Sequence, residues 1–363
     1  MPSEPPEFIP PARPFIGDEE IAAAVAVLRS GMVVQGPEVA AFEDAFATVS
    51  GTGHCVAVNS GTSALQLALM ALGVGPGDEV IVPSFSFAAS ANAVRLVGAE
   101  PVFADIEAGS FCVDPDAVAA LVGPRTVAVM PVHLYGHPAD MGRLVPLAER
   151  HGLAVVEDAC QAHGAQVDGK PVGSFGAAGA FSFYPTKNMH ALEGGMVSTD
   201  DAQLARMLRL LRNQGMEQRY ANEVVGANMR MTDVAAAIGR VQLGRLEGWT
   251  EARRVNAAFL DKSITGAVVP PVAPGAHHVY HQYTVRIEGD RDGALERLKA
   301  AGVGSAVYYP TPIHRLIPYR DSKADLPETD RAAAEVLSLP VHPSLSSDDL
   351  DRVADAVNAL EQM

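Results

Sequence analysis

The chain has 363 residues, of which 48% are hydrophobic and 19% are charged, so it is long for one domain and suits two. Its formal net charge of −16 excludes nucleic acid or an anionic membrane as the main partner, because phosphate groups repel such a surface. Any anionic ligand must therefore be held by local hydrogen-bond donors rather than by the overall field.

The N-terminal composition and the cysteines indicate a cytoplasmic protein. The first fifteen residues are rich in proline, where a secretory signal would have an apolar run. Cys55, Cys112 and Cys160 lie far apart without metal-ligand spacing, so we expect reduced thiols and no bound metal. The charge-free stretch 55–77 is interrupted by polar residues 59–63, which favours a strand, a loop and a helix over a membrane span.

Short valine-rich runs alternate with alanine- and leucine-rich stretches through most of the chain. The runs that predict strands are Cys55–Val58, Glu79–Val82, Pro101–Ala104, Ala128–Val132, Ala154–Glu157 and Gly179–Ser182. The stretches that predict helices are Ser63–Leu72, Asn92–Val97, Met141–His151, Asp201–Asn213 and Asp233–Leu246. Continuous apolar strands separated by helices predict an α/β fold, with a mostly parallel sheet covered on both faces. Ligands bind such sheets at the carboxyl ends of the strands, where the polar motifs of this chain fall.

The pattern changes after about residue 245, so we predict a large domain over 1–245 and a small domain over 246–363. A long helix, Leu243–Leu260, leads to the proline-rich residues 270–274. The remaining elements are expected to be a strand at Gln282–Ile287, a helix at Gly293–Ala301, a loop, and a last helix at Ser347–Leu360. The second domain is therefore predicted to be α+β.

Lys187 follows the apolar and aromatic run 181–184. Desolvation favours the neutral form of a lysine, and a neutral amine is the form that attacks a carbonyl to make a Schiff base. Lowering its pKa from about 10.4 to near 7 requires roughly 4–5 kcal/mol from the environment. The alternative is a lysine whose stem lies along apolar surface while its amine reaches water.

Four further segments are candidates for the same site. Residues 59–63 join a strand to a helix, whose N-terminal N–H groups can hold a phosphate, although such residues also cap ordinary helices. Asp158 and Gln161 follow a buried strand and could hold a protonated ring nitrogen and a ring hydroxyl, or merely form a salt bridge or loop cap. Ser182 is a plausible second phosphate donor, and residues 226–231 lie ahead of the helix cap Thr232. Together with a Schiff-base lysine, these features indicate pyridoxal 5'-phosphate, which uses the protein for orientation and for a protonated pyridine.

The order and spacing of many short motifs resemble the sugar aminotransferases of the DegT/DnrJ/StrS type. The resemblance covers nearly the whole chain. It rests on Arg13-Pro14, Ser30-Gly31, Gln35-Gly36, Phe42-Glu43, residues 60–65 and 83–87, Glu157-Asp158-Ala159, residues 161–164, Phe181-Ser182-Phe183, Lys187-Asn188, Gly194-Gly195, Asn228-Met229-Arg230, Gln242-Leu243, Tyr309 and His314. It implies the fold-type I architecture of aspartate aminotransferase, with a mostly parallel seven-stranded sheet in the large domain.

The resemblance also implies roles around the cofactor ring. Lys187 would carry the cofactor as a Schiff base and later move a proton between cofactor and substrate. Asp158 would pair with the pyridine nitrogen and keep it protonated, and Gln161 would bond the ring oxygen. Phe87 matches the position of an aromatic side chain that stacks on the ring. Some relatives replace the lysine by histidine and dehydrate sugars, a variant that Lys187 disfavours.

The phosphate of the cofactor is expected to lie in a cradle formed by two parts of the chain. The resemblance assigns it to Gly61, Thr62, Ser63 and Ser182. Asn228 would join them from a second subunit, which implies a homodimer with shared active sites.

Substrate contacts are expected from four further residues, each of which also has a structural interpretation. Arg230 could clamp the carboxylate of an amino-acid donor through a bidentate contact, or form an ion pair at an interface. His163 would lie near the cofactor or the sugar. Tyr309 and His314 would line the sugar site from the small domain.

We therefore expect an aminotransferase that moves an amino group from glutamate or glutamine to a keto group of a nucleotide-linked (UDP- or dTDP-) deoxy sugar. An aminotransferase of a keto-cyclitol or an aminobenzoate-type precursor is the first alternative, and a non-catalytic regulatory homologue is the second. A dehydrogenase of the Rossmann type is disfavoured, since no G-x-G-x-x-G follows the first strand.

Overall fold

The computed structural model describes residues 7–362, and its strands form one large sheet and several small ones. In chain order the strands are β1 His54–Val58, β2 Glu79–Pro83, β3 Glu100–Ala104, β4 Thr126–Val129, β5 Ala154–Asp158, β6 Gln166–Val167, β7 Lys170–Pro171, β8 Ala178–Ser182, β9 Gly195–Thr199, β10 Met216–Gln218, β11 Ala221–Asn222, β12 Ala276–His277, β13 Tyr283–Arg286 and β14 Val336–Leu339. Seven of them form the central sheet in the order β1-β9-β8-β5-β4-β2-β3. Strand β9 runs antiparallel to both neighbours, while the pairs from β8 to β3 are parallel.

Helices cover both faces of this sheet. They are α1 Asp18–Ser30, α2 Pro37–Ser50, α3 Gly61–Ala71, α4 Ala89–Leu96, α5 Pro115–Leu121, α6 Met141–His151, α7 Ala202–Arg212, α8 Asp233–Leu243, α9 Leu246–Ser263, α10 Arg291–Ala300, α11 Pro327–Glu335 and α12 Ser347–Asn358. Short 3-10 helices lie at Leu134–Gly136, Ile313–Arg315, Ile317–Tyr319 and Ala359–Gln362. No helix within residues 7–362 is long and apolar enough to cross a membrane.

The alternation of side chains along each strand divides the core between the two faces. Val80 and Val82 of β2 pack in a cluster with α3, α4 and α7, whereas Ile81 packs with α5 and α6. Near β1, the cluster on the second face includes Phe42 and Phe46 of α2. Because both faces are buried, the strands read as continuous apolar runs, and the predicted α/β fold with a mostly parallel seven-stranded sheet is confirmed.

Strand β9 was not among the strands expected from the sequence. Its apolar core is only Met196-Val197, with Gly194-Gly195 before it and Ser198-Thr199 after it, so it has no long apolar run that would predict a strand. Pairing on both sides buries it nevertheless. Tertiary context here overrides weak local preference.

The C-terminal part contains more structure than the sequence pattern predicts. The expectation of one strand and a loop is wrong, because β14 pairs antiparallel with β13, and α11 precedes it within the supposed loop. Ile9 packs with this part of the chain and bridges to Val303, so the N-terminal segment joins the C-terminal core. Helix α9 begins at Leu246, and the domain boundary at 245 stays a prediction.

Candidate active site

The site lies where β5, β8 and the start of α3 come together. Asp158 is the last residue of β5 and Ser182 the last of β8, and these two strands are paired in parallel. At Gly61, the first residue of α3, an added Cβ would lie 2.8 Å from the Cβ of Ser182 and 2.9 Å from Sγ of Cys160. Only a glycine therefore lets the helix start this close to both strand ends.

Lys187 lies in the turn after β8, where its backbone N–H donates to the carbonyl of Tyr184 at 2.9 Å. Burial lowers the pKa of its amine, while Cys160 and Asp158 raise it and offset part of the effect. No carboxylate among residues 7–362 lies within salt-bridge distance of this amine. The lowered pKa makes the neutral, nucleophilic form of the amine easier to reach, and the role of Lys187 as a Schiff-base lysine stays a prediction.

Asp158 is buried and held by two hydrogen bonds. Its Oδ2 accepts from the Ser90 hydroxyl at 2.8 Å, and its Oδ1 accepts from the Cys160 N–H at 3.2 Å. Ser90 in turn lies 3.0 Å from the Ser86 hydroxyl, and both serines are buried. The carboxylate is therefore fixed in place by neutral donors, which leaves its charge available to a cationic ligand group.

Gln161 links the site to the C-terminal part of the chain. Its Oε1 accepts from the Tyr135 N–H at 2.8 Å, and its Nε2 donates to the Tyr309 hydroxyl at 2.9 Å. The rings of Tyr309 and Phe87 lie 5.9 Å apart, and Phe87 is 58% exposed. Tyr309 thus lies beside the predicted cofactor residues, and Phe87 offers an uncovered aromatic face there.

The start of α3 has the features of an anion site. Ser60 caps the helix, and its Oγ accepts from the Ser63 N–H at 3.1 Å. The first backbone bond of the helix is donated by Ala64, so the N–H groups of Gly61 and Thr62 precede the ladder. The Cβ position at Gly61 is 3.2 Å from Oγ of Ser182, which places that hydroxyl at the same helix end. These donors fit a phosphate group.

Asn228 and Arg230 lie in a segment without regular secondary structure that borders the end of β1. Arg230 bridges Val58, and the Asn59 N–H donates to the carbonyl of Met229 at 3.0 Å. Arg230 Nη1 donates to Oδ1 of Asn213 at 2.9 Å, whereas Asn228 is exposed. An exposed Asn228 is available to a second subunit, and its role across an interface stays a prediction.

Two predicted substrate residues lie away from open surface. His163 is fully buried among Phe46, Phe181 and Phe183, where burial lowers its pKa to about 3, and neither ring nitrogen has a partner among the described residues. His314 is also buried, with Nδ1 2.7 Å from the Ser84 hydroxyl. Both imidazoles are enclosed in the single chain, and their roles as substrate contacts stay predictions.

Sequence reasoning did not assign roles to Ser90, Ser86 and the Tyr135 N–H. Ser86 lies in the bend before α4 and Ser90 in the first turn of that helix, four residues further on. That spacing is a weak signal by itself, since their partner Asp158 is 68 residues away from Ser90.

This geometry fits pyridoxal 5'-phosphate. The buried amine of Lys187 suits a Schiff base, the neutrally bonded Asp158 suits a pyridinium nitrogen, and the start of α3 suits the phosphate. The fold and the site together define a cofactor-dependent transferase of the aspartate aminotransferase type.

Comparisons with known proteins give the family. A model of the DegT/DnrJ/EryC1/StrS aminotransferase family matches residues 14–358, and the chain belongs to that family. The erythromycin biosynthesis sensory transduction protein EryC1 of Saccharopolyspora erythraea is 46% identical over 92% of this chain and 93% of its own. The dTDP-3-amino-3,4,6-trideoxy-alpha-D-glucose transaminase of Streptomyces venezuelae is 45% identical over 93% and 91%. The structure of S. venezuelae DesV in complex with a ketimine intermediate has a TM-score of 0.92, with 44% identity and 95% of both chains covered.

The chain is therefore an aminotransferase, and its cofactor is pyridoxal 5'-phosphate.

Proposed function

We propose that the protein transfers an amino group from glutamate or glutamine to the keto group of a nucleotide-linked deoxy sugar. The observation that carries the proposal is the buried amine of Lys187 beside the fixed carboxylate of Asp158 and the phosphate-binding start of α3. The substrate class is supported by the dTDP-sugar transaminase to which the chain is 45% identical.

The protein's own groups carry the proton chemistry. Pyridoxal phosphate, when bound, supplies the electron sink for the bond broken at the substrate carbon. Lys187, whose pKa burial lowers, would hold the cofactor and then take a proton from the donor carbon and return one to the acceptor carbon. Asp158, fixed by Ser90, keeps a proton on the pyridine nitrogen through its negative charge.

Binding and orientation fall to the residues around these two. Phe87 provides an aromatic face for the ring, and Gln161 is held by the Tyr135 N–H and Tyr309 within reach of the same space. Tyr309 is proposed to line the sugar site. Arg230, which Asn213 orients, is proposed to hold a donor carboxylate.

We further propose a homodimer in which Asn228 of each subunit completes the phosphate cradle of the other. Its support is the exposure of Asn228 in the single chain and the family to which the chain belongs. Light scattering should give twice the mass of the 38.0 kDa chain. Mixing Asn228→Ala chains with Lys187→Ala chains should restore part of the activity that each lacks, because one site per mixed dimer would carry both residues. An active monomer would contradict shared sites.

The three cysteines are free thiols, of which Cys55 and Cys112 are buried. This supports a reducing compartment, and we propose that the protein works in the cytoplasm. Cell fractionation would test that placement.

The deciding experiment follows both halves of the reaction in the purified holoenzyme. Glutamate and glutamine should each be tested for loss of the visible absorbance of lysine-bound cofactor, and a panel of keto sugars for its return. Lys187→Ala should lose more than the ~10²–10⁴-fold that a positioned proton-transfer group contributes, since the covalent attachment is lost too. Unchanged turnover in this variant would refute the assignment.

The same panel separates the alternatives. Return of absorbance with a keto-cyclitol or an aminobenzoate-type precursor, and with no nucleotide sugar, would identify that substrate class. The EryC1 relative is named a sensory transduction protein, so a regulatory role should be tested as well. A protein that binds no cofactor and converts no donor would be a non-catalytic homologue.

A further inference from the structure

A pocket of about 310 Å³ lies between the N-terminal segment, the turn that carries Lys187, and helix α9. Arg13 and Phe15 line it on one side, Lys187 on a second, and Trp249 and Arg253 on the side of α9. Gly61 and Ser182, which belong to the predicted phosphate cradle, do not line this pocket. Its volume is at the lower end of the roughly 300–1,000 Å³ of small-molecule pockets, which suits a small molecule or one group of a larger substrate.

Arg253 is the unusual residue of this pocket. The side chain is buried, and its only hydrogen bond within residues 7–362 runs from Nη1 to the carbonyl of Tyr280 at 3.2 Å. Nε is buried and has no partner there, and no described carboxylate lies within 4.0 Å of the guanidinium. Burial alone lowers the pKa of Arg253 to about 10, since no neighbouring acid offsets it.

The other buried arginines of residues 7–362 are all paired with acids. Arg212 contacts Glu43, Arg286 contacts Glu328 and Glu335, and Arg291 contacts Asp292. The chain has 43 acidic residues that could have provided a counterion for Arg253. A buried guanidinium without a counterion destabilises the folded protein unless a bound ligand supplies the negative charge.

A second cation and an apolar surface border the same space. Arg13 has one described acidic partner, Glu7 at 3.5 Å, and that carboxylate is 87% exposed, so the pair is weak. Phe15 and Trp249 pack edge to face with ring centroids 6.2 Å apart. Two arginines and two aromatic side chains that line one pocket suit a small molecule with an oxyanion.

We propose that Arg253 and Arg13 bind an oxyanion, a carboxylate or a phosphate group, of a small ligand in this pocket. Oxyanion binding by Arg253 and Arg13 does not depend on which reaction the protein catalyses. Naming its source, a carboxylate of the amino donor or a phosphate of the acceptor, rests on the proposed function and on the fact that Lys187 borders the pocket.

The test is calorimetric titration of the holoenzyme with two probes. Glutarate represents the carboxylate source and, lacking an amine, cannot react, while inorganic phosphate represents the other source. The holoenzyme is used because its bound cofactor occupies the phosphate cradle at Gly61. Arg253→Met should weaken binding of one probe by about 10- to 100-fold, the effect of losing a charged hydrogen bond, and Arg253→Lys should lose less.

Arg254→Met is the matched control, because Arg254 is next on the same helix and likewise donates to a carbonyl of the 278–280 segment, that of His278 at 3.2 Å, but does not line the pocket. It should bind both probes as the wild type does, and thermal unfolding should show all three variants folded. A wild-type protein that binds neither probe, or an Arg253→Met protein that binds them unchanged, would overturn the proposal. Neither result would bear on turnover, which is measured separately.

Discussion

Replacing Gly61 by alanine tests whether the close approach of α3 to the ends of β5 and β8 forms the phosphate cradle. The new methyl group would lie 2.8 Å from Cβ of Ser182 and 2.9 Å from Sγ of Cys160, well inside van der Waals contact. Ser182 ends β8 and Cys160 lies two residues after β5, and both side chains are short, so neither can move away as the tip of a long side chain could.

The magnitude follows from this geometry. Inserting a methyl group into a packed site costs about 1–3 kcal/mol, and relief requires the start of α3 to move away from Ser182. Alanine is the better helix former by up to about 1 kcal/mol, so the free energy of unfolding should fall by about 0–2 kcal/mol. Moving the start of α3 also takes its first N–H groups away from the phosphate, and losing one charged hydrogen bond there should weaken cofactor binding by about 10- to 100-fold.

The assay is equilibrium dialysis of pyridoxal phosphate against the apoprotein, together with thermal unfolding. Gly248→Ala provides the control, since Gly248 lies within α9 with no atom within 4 Å of an added Cβ. It should stabilise the protein by roughly 0.5–1 kcal/mol and leave cofactor affinity unchanged. If Gly61→Ala bound the cofactor as tightly as wild type, the close approach at Gly61 would not form the cradle.

Three more predictions concern Asp158, Lys187 and Glu157. Ser90→Ala removes the hydroxyl bonded to Asp158 at 2.8 Å and should weaken cofactor binding by about 10- to 100-fold, whereas Ser90→Thr should retain most of it. Since burial lowers the pKa of Lys187, cofactor capture by the apoprotein should rise with pH and level off below the ~10.4 of an ordinary lysine. Glu157→Gln should lower the free energy of unfolding by about 3 kcal/mol in urea titrations, because the carboxylate accepts from three backbone N–H groups and lies 3.0 Å from His133 Nε2.

The pH prediction also has a sign for stability. The folded-state pKa of Lys187 lies below the unfolded one, so the unfolded chain binds more protons between the two values. The contribution of this group to apoprotein stability therefore rises with pH through that window.

Each of these results has a clear opposite. Equal cofactor affinity in Ser90→Ala would show that the backbone N–H of Cys160 alone positions Asp158. A capture midpoint at or above that of an ordinary lysine would contradict the buried amine. A Glu157→Gln protein as stable as wild type would show that the amide replaces the carboxylate as an acceptor.

Local pattern was enough to predict six strands of the central sheet and to propose the residues of the candidate site. The valine-rich runs became strands of the central sheet, because burial on both faces requires exactly such continuous apolar segments. Lys187 after an aromatic run, and Asp158 after a buried strand, were identified because each motif lies within a few residues of the strand that positions it.

Only the tertiary structure decided what surrounds these residues. The Ser90 bond to Asp158, the enclosure of His163 by phenylalanines and the lack of an acid within residues 7–362 beside Arg253 all depend on segments far apart in the chain. Strand β14 likewise exists as a partner of β13, about fifty residues away in the sequence. Hydrogen-bond partners and counterions depend on which strands and helices become neighbours, and the local sequence pattern does not specify which distant segments meet.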